Sequence, residues 1–298
     1  MFSRGTKMID LHCHILPGID DGAGSLSESI EMCRIAVKDG ISKVVCTSHH
    51  VVGKYNNGRG RIMKEVKKLQ ASLYDESIPL TLYPGCEIRL DLNLVERVKA
   101  GELLTMNDSG RYITLELPDE ALPKNMEEII SSLIFAGIIP IIAHPERNRV
   151  IRSNPGAIYR LVELGALAQL TSASLTGLFG SEIKNFSIFL LEHRLAHMLV
   201  TDAHSSRRRR PVLSEGLKRL KKIVGEKTAM EMVETIPEKI LNGEDVDMKY
   251  PVPLKEKGAG RAISILSKIV KRHPAGHAAA RRASTLWWKG KLKGENSK

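Results

Sequence analysis

Ile9-Asp10-Leu11-His12-Cys13-His14-Ile15-Leu16-Pro17-Gly18-Ile19-Asp20-Asp21-Gly22 leads from an apolar run through His-x-His into a Pro-Gly turn that carries two carboxylates. In a strand, residues i and i+2 point to the same side. His12 and His14 therefore present two imidazoles to one point, and Asp20 or Asp21 can return there from the turn. His-x-His alone is equally consistent with a strand end meeting solvent. The reading turns on whether the rest of the chain sends matching ligands.

Working outward, apolar runs alternate with helical patterns. Runs at 8–12, 43–47, 79–83, 111–117, 138–143, 166–171 and 196–201 read as strands. Between them, Ser25-x-x-Glu28 is a capping box that opens a helix ended by Gly40. A Lys-rich amphipathic pattern reaches about Glu76, and further helices are expected at 92–100, 123–136, 155–164 and 181–193. Seven βα steps in strict order imply a parallel sheet, and short repeated strands favour a barrel over an open sheet. No Gly-x-Gly-x-x-Gly or Gly-x4-Gly-Lys-Ser/Thr loop is present, so nucleotide-loop readings lack support.

Composition agrees. The 298 residues suit one barrel or two smaller domains, and 42% apolar with 4% aromatic content predicts an aliphatic core. Residues 251–298 hold twelve Lys/Arg and two Glu, so residues 1–250 stand near +1 of the total +11. That balance argues against nucleic acid at the main domain's site. Cys13, Cys33, Cys46 and Cys86 form no Cys-x-x-Cys pair and sit among apolar neighbours, as expected of buried thiols in a reducing compartment. None precedes an arginine by six positions, which removes a cysteine-nucleophile phosphatase loop. With no apolar signal core and no membrane-length segment, a cytoplasmic location is expected.

Active sites of α/β barrels lie at the C-terminal strand ends. Six of the seven expected ends carry candidates: His12/His14, His49/His50, Glu87, Glu116, His144 and Asp202/His204, with Asp20/Asp21 in the first loop. Each alone has an ordinary explanation as a solvated or hydrogen-bonded group. Their concentration at strand ends points to a mixed nitrogen–oxygen metal site for Mn²⁺, Zn²⁺ or Fe, with room for two or three ions. Clustered metals suit phosphoryl chemistry by in-line attack of a metal-activated hydroxide. Arg147 and the run Arg207–Arg210 follow two of these ends, and guanidinium groups fork onto phosphate oxygens.

The stretches MIDLHCHILPGIDDG (8–22), the His49-His50 pair, Tyr55-Asn56-Asn57, LYPGCEIRL (82–90), RYITLELP (111–118), GIIPIIAHPERN (137–148), QLTSASLTGLFG (169–180) and TDAH (201–204) closely resemble the PHP-domain (polymerase and histidinol phosphatase) protein-tyrosine phosphatases of bacterial capsule and exopolysaccharide operons. The resemblance implies a PHP-type distorted (β/α)7 TIM-like barrel with a basic C-terminal extension. It implies His12, His14, Asp21, His49, Glu87, Glu116, His144, Asp202 and His204 as ligands of manganese ions, with Glu87 bridging. Asp20 and His50 stay open as one-residue alternatives. It implies Arg147 and Arg209 on the phosphate, Arg210 being the alternative to Arg209. The implied substrate is the phosphotyrosine tail of a membrane-associated tyrosine kinase. Ser48 and Ser205 stand where the family often has Pro and Asn.

Domain boundaries follow as 1–7 (extension), 8–248 (metallophosphatase domain) and 249–298 (basic tail). In the tail, Ile263, Ile265, Leu266, Ile269 and Val270 outline a short amphipathic helix, and Trp287-Trp288 lie among lysines. A peripheral membrane anchor, an acidic partner's dock and a solvated extension are the readings of this segment. Tyr55-Asn56-Asn57, Arg59, Arg61 and Arg89 are expected around the cleft. Competing functions are a small-phosphomonoester phosphatase such as one for histidinol phosphate, and a non-catalytic phosphotyrosine-binding domain. An amidohydrolase would want a bridging lysine that is not convincingly placed.

Overall fold

The computed structural model describes residues 7–91, 93–119 and 121–254. The amphipathic and Trp-Trp segments of the tail, and residues 1–6, lie outside the described residues.

Nine strands occur among the described residues: β1 (Met8–Cys13), β2 (Ile41–Cys46), β3 (His49–His50), β4 (Thr81–Pro84), β5 (Glu87–Arg89), β6 (Tyr112–Glu116), β7 (Ile139–Ile142), β8 (Leu167–Thr171) and β9 (Met198–Val200). All pair in parallel, in the orders β1-β2-β4 and β3-β5-β6-β7-β8-β9. The seven expected steps are all present. The second is broken into β2 and β3 at Thr47-Ser48, and the third into β4 and β5 at Gly85-Cys86. Gly85 allows its break: a Cβ there would lie 2.4 Å from Val45 Cγ1, so a side chain would force the two strands apart.

The barrel has two seams. Between β1 and β9 the strand pairing shrinks to one bridge, Cys13 with Ala203, beside the Asp202 amide donating to the His12 carbonyl (2.8 Å). Between β4 and β6 the short helical turn Met106–Asp108 fills the gap instead of a ladder.

Helix α1 (Leu26–Asp39) starts where its sequence says. Ser25 Oγ accepts from the Glu28 amide (3.3 Å), and Gly40 closes it at φ 94°. The Glu28 carboxylate reaches back to the amide of Gly24 (3.1 Å) rather than that of the cap itself. Met32, Cys33 and Ala36 of α1, and Ile62, Val66, Leu69 and Leu73 of α2 (Arg59–Asp75), are buried against the strands. Each fully buried large aliphatic contributes roughly 1.5–3 kcal/mol. Ile9, Val45, Tyr112, Ile141, Met198 and Val200 form a separate cluster with Ile240 and Leu241 of the helix Ile236–Leu241. The four cysteines are buried and free. Among the described residues no helix is long and apolar enough to cross a membrane.

Candidate metal centre

β1 delivers His12 at its end and His14 just beyond. A bulge between Asp10 and Cys13 interrupts simple alternation, yet the two Nε2 atoms meet at 3.0 Å. The breaks in strands two and three set His49 directly opposite Glu87 on neighbouring strands. His144 and Asp202 follow β7 and β9 with positive φ, 32° and 50°, a conformation side chains resist and one that concentrates at functional sites.

Glu87 lies at the middle of the group. Its Oε2 is 3.3 Å from His12 Nε2, 3.2 Å from His14 Nε2 and 3.1 Å from His49 Nδ1, while Oε1 is 2.9 Å from His144 Nε2. Asp202 Oδ1 lies 3.4, 3.5 and 3.6 Å from rings of His12, His14 and His204. Asp21 Oδ1 is 3.5 Å from His49 Nε2 and 3.6 Å from His204 Nε2, and Glu116 Oε2 is 3.8 Å from His49 Nδ1. Asp21, His49, Glu87, Glu116, Asp119, His144, Arg147, Asp202, His204 and Arg209 line a cavity of about 300 Å³.

Three overlapping groups have ligand atoms close enough to share an ion: His14/Asp21/His49/His204, His12/His14/Glu87 and His49/Glu87/Glu116. Glu87 Oε2, His49 Nδ1 and Asp202 Oδ1 are buried and, although imidazole or carboxylate atoms lie 3.1–3.5 Å away, none makes a well-directed hydrogen bond. Buried acceptors left bare are costly. Their convergence, and a donor set of imidazole and carboxylate without thiolate, fits divalent cations.

Charge follows the same pattern. Burial would raise Glu87 and Asp202. The rings around Glu87, and Arg147, His12, His14 and Arg209 around Asp202, outweigh burial and hold both carboxyls well below the usual range. Burial and neighbouring Glu87 push Glu116 up. Both arginines end on Asp202: Arg147 Nη2 and Arg209 Nη2 each reach Oδ2 at 2.5 Å.

The one-residue alternatives separate cleanly. Asp20 turns away from the cavity. It accepts from His14 Nδ1 (3.0 Å), the Gly22 amide (3.0 Å) and the His49 amide (3.0 Å), so it orients the ring while Asp21 faces inward. Gly22 permits this, since a Cβ there would lie 2.1 Å from the His14 carbonyl oxygen. His50 points elsewhere, to the Asn57 carbonyl (3.2 Å) and Arg97 (2.8 Å). Arg210 does not line the cavity; Arg209 does.

The expected cleft loop divides. Tyr55 stacks on His49 at 5.9 Å with 8° between ring planes. Asn57 instead is buried, its Nδ2 donating to the Ile19 and His49 carbonyls. Arg59 is committed to Asp108 away from the site, whereas Arg89 reaches Glu116 (3.0 Å).

Three buried groups escaped the sequence reading. Gln169 Oε1 faces His12 Nδ1 at 2.7 Å, fixing which nitrogen meets Glu87 and Asp202. Asp10 accepts from the amides of His12 (3.2 Å) and Thr201 (2.9 Å) and from the Thr201 hydroxyl, bracing the β1–β9 seam. Burial pushes its carboxyl up to about 6 against those bonds. Glu146 accepts at Oε1 from the Thr171 amide (3.1 Å), the Thr171 hydroxyl (2.6 Å) and the Ser174 hydroxyl (2.7 Å). The signal available for Gln169 and Asp10 was a lone polar residue inside an apolar stretch; Glu146, in the polar run 144–149, carried none.

Seven βα steps with imidazoles and carboxylates gathered at the C-terminal strand ends define the class, an α/β barrel of the metal-hydrolase type. More narrowly, the chain belongs to the CpsB/CapC family of capsular polysaccharide synthesis, whose profile matches residues 8–242. It is 41% identical over 250 residues to the tyrosine-protein phosphatase YwqE of Bacillus subtilis, covering 84% of this chain and 98% of that one. It is 28% identical over 239 residues to the tyrosine-protein phosphatase CpsB of Streptococcus pneumoniae, covering 78% and 98%. The YwqE crystal structure, described as that of a metal-dependent tyrosine phosphatase, superposes with a TM-score of 0.80 at 40% identity, over 84% of this chain and all of that one. A histidinol phosphate phosphatase of Lactococcus lactis shares the fold at 12% identity and TM-score 0.50, covering 75% and 94%.

Proposed function

We propose that this chain is a metal-dependent protein-tyrosine phosphatase serving capsular or exopolysaccharide synthesis. The observation that carries the reading is the convergence of three buried polar atoms without a well-directed hydrogen bond, on Glu87, His49 and Asp202, in a cavity rimmed by Arg147 and Arg209. The relatives YwqE and CpsB, tyrosine-protein phosphatases that align over nearly their whole length, support it.

In this reading the ligands are His12, His14, Asp21, His49, Glu87, Glu116, His144, Asp202 and His204. The ions are two or three in number and manganese in kind, with iron or zinc as the alternatives to be separated by elemental analysis. Divalent cations would supply an activated water at neutral pH and positive charge for the phosphoryl oxygens. The chain itself binds and orients. Arg147 and Arg209 take phosphate oxygens by forked, charge-assisted hydrogen bonds, exchanging their carboxylate partner Asp202 for the substrate. Asp20 and Gln169 keep the rings of His14 and His12 in register. The catalytic unit is residues 8–248. The natural substrate is phosphotyrosine on the tail of a membrane-associated tyrosine kinase, and residues 249–298 hold the enzyme near that membrane or near an acidic partner. Pelleting with liposomes, with and without residues 251–298, tests the last point.

The deciding experiment is phosphate release by metal-reconstituted enzyme from a phosphotyrosine peptide, its phosphoserine counterpart and histidinol phosphate. Release from phosphotyrosine, abolished by EDTA and in a His12→Ala/His14→Ala variant, is the expected result. Preference for histidinol phosphate would move the enzyme into amino-acid metabolism, and no turnover with any metal would leave a binding domain.

A further inference from the structure

The loop at 205–210 does two things at once. Its backbone is a closed turn. The amides of His204 (2.9 Å) and Ser205 (3.2 Å) donate to the Arg209 carbonyl, and Ser205 Oγ accepts from the amides of Arg208 (3.2 Å) and Arg209 (3.4 Å). That turn sends Arg209 inward, where it donates to the Asp202 carbonyl (2.9 Å) and carboxylate. It leaves Arg207, Arg208 and Arg210 exposed, on the same short turn as the Arg209 that lines the cavity.

These three guanidinium groups have no carboxylate partner among the described residues. Elsewhere Arg34, Arg59, Arg97, Arg111, Arg152 and Arg160 each pair with a carboxylate, and the exposed arginines without one among the described residues, Arg61, Arg149, Arg194 and Arg219, are scattered along the chain rather than gathered in one turn. Of the acids beside the loop, Glu28 is engaged by the backbone amide of Ser206 at 3.4 Å and Asp202 by Arg147 and Arg209. Residues 1–250 carry a net charge of only about +1, so this is a local concentration of positive charge rather than a general one. Folding has left it without internal compensation, beside the arginine that we assign to the phosphate.

We propose that Arg207, Arg208 and Arg210 form a docking rim for acidic side chains flanking the phosphotyrosine of the substrate, so that the preferred substrate is an acidic phosphopeptide. The inference rests on the phosphatase reading above. Neighbouring Cα atoms are about 3.8 Å apart, and an extended peptide advances about 3.3 Å per residue. With the phosphate on Arg209, carboxylates within a few residues of the tyrosine fall within reach of long guanidinium arms. Rim charges act on encounter rate and selectivity more than on the chemical step.

The test compares kcat/KM for phosphotyrosine peptides of one length whose flanks are Glu, Ala or Lys, with p-nitrophenyl phosphate as the probe that lacks flanks. The holoenzyme and the full-length Arg207→Ala/Arg208→Ala and Arg207→Glu/Arg208→Glu variants are used, with Arg209 intact. Expected for the unmodified enzyme is a roughly five- to ten-fold preference for Glu over Ala flanks, falling with salt. The alanine pair removes that preference, the glutamate pair reverses it toward Lys flanks, and p-nitrophenyl phosphate turnover stays level in all three. Equal kcat/KM for the three flanks in the unmodified enzyme overturns the proposal while leaving the phosphatase reading intact. Failure to hydrolyse even the Ala-flanked peptide overturns that reading, and the proposal with it. If the alanine pair loses pelleting with phosphatidylglycerol vesicles but ranks peptides as before, the rim belongs to a membrane and the proposal is wrong.

Discussion

Nδ1 of His12 lies 2.7 Å from Oε1 of Gln169, a residue 157 positions further along the chain. Its neighbour His14 makes the corresponding contact with a carboxylate, Asp20, at 3.0 Å. The two rings of one His-x-His pair are thus oriented by groups of different charge, an amide for one and an anion for the other.

Gln169→Leu should leave the His12 N–H buried and unanswered. Metal affinity is expected to fall about 10- to 100-fold, read by competition with a chelating dye rather than by turnover. Gln169→Glu keeps the acceptor and should hold metal at least as tightly as the unmodified enzyme. Equal weakening in both variants would mean that Gln169 only fills space.

Glu146 is a buried carboxylate adjacent to Arg147, whose guanidinium lies 5.5 Å over the Phe179 ring. Glu146→Ala strands the hydroxyls of Thr171 and Ser174 and should cost roughly 2–4 kcal/mol in urea unfolding. Glu146→Gln keeps an acceptor at Oε1 but removes the anion. It should hold most of the stability while kcat/KM on a phosphotyrosine peptide drops about ten-fold through a misplaced Arg147. A Gln variant as active as the parent would restrict Glu146 to a structural part.

Gly22→Ala puts a methyl group into the His14 carbonyl. The turn must retreat, taking Asp21 from the cavity and Asp20 from His14. Circular dichroism should stay unchanged, and inductively coupled plasma mass spectrometry should find fewer ions bound per chain. Full metal content in this variant would separate Asp21 from the ligand set.

His197 is buried at the start of β9's approach, its Nδ1 accepting from the Ala168 amide (2.9 Å). Burial pushes the ring down to about 4. The unfolded chain, with an ordinary imidazole near 6.5, takes up the proton first. The stability this group contributes is therefore complete above about pH 6.5 and is lost as pH falls toward 4, by at most about 3 kcal/mol. His197→Asn keeps an acceptor without that proton uptake. In EDTA throughout, its unfolding free energy should vary less than the parent's between about pH 7.5 and about pH 5. Parallel curves would show that His197 does not carry the acid sensitivity.

All seven strand positions could be read from the sequence because buried parallel strands are predominantly apolar runs. The interruptions at Ser48 and Gly85-Cys86 could not, because a polar residue after an apolar run looks the same at a strand's end and at its bend. The choice between His49 and His50 hangs on that bend, which sets His49 opposite Glu87. The residues that converge on the cavity were legible as candidates because histidines and carboxylates recur at strand ends. Gln169 and Asp10 were not, because each lies within a run that reads as core, and their partners come from strands far away in sequence.

The seam between β1 and β9 has a further consequence. A barrel laced along its full length opens only by global unfolding, but between β1 and β9 this one is fastened by one bridge, the backbone bonds of Asp202 and His14 beside it, and the Asp10 brace. His12 and Asp202 stand on opposite banks of that seam, with Nε2 and Oδ1 3.4 Å apart beside the cavity that Asp202 lines. A guest held between them would act as a clasp. Amide hydrogen exchange along β1 and β9 should therefore slow when the centre is filled, by the linkage that stabilises any state a ligand selects. The same residues that gather at the mouth for chemistry would then set how often the cylinder springs open.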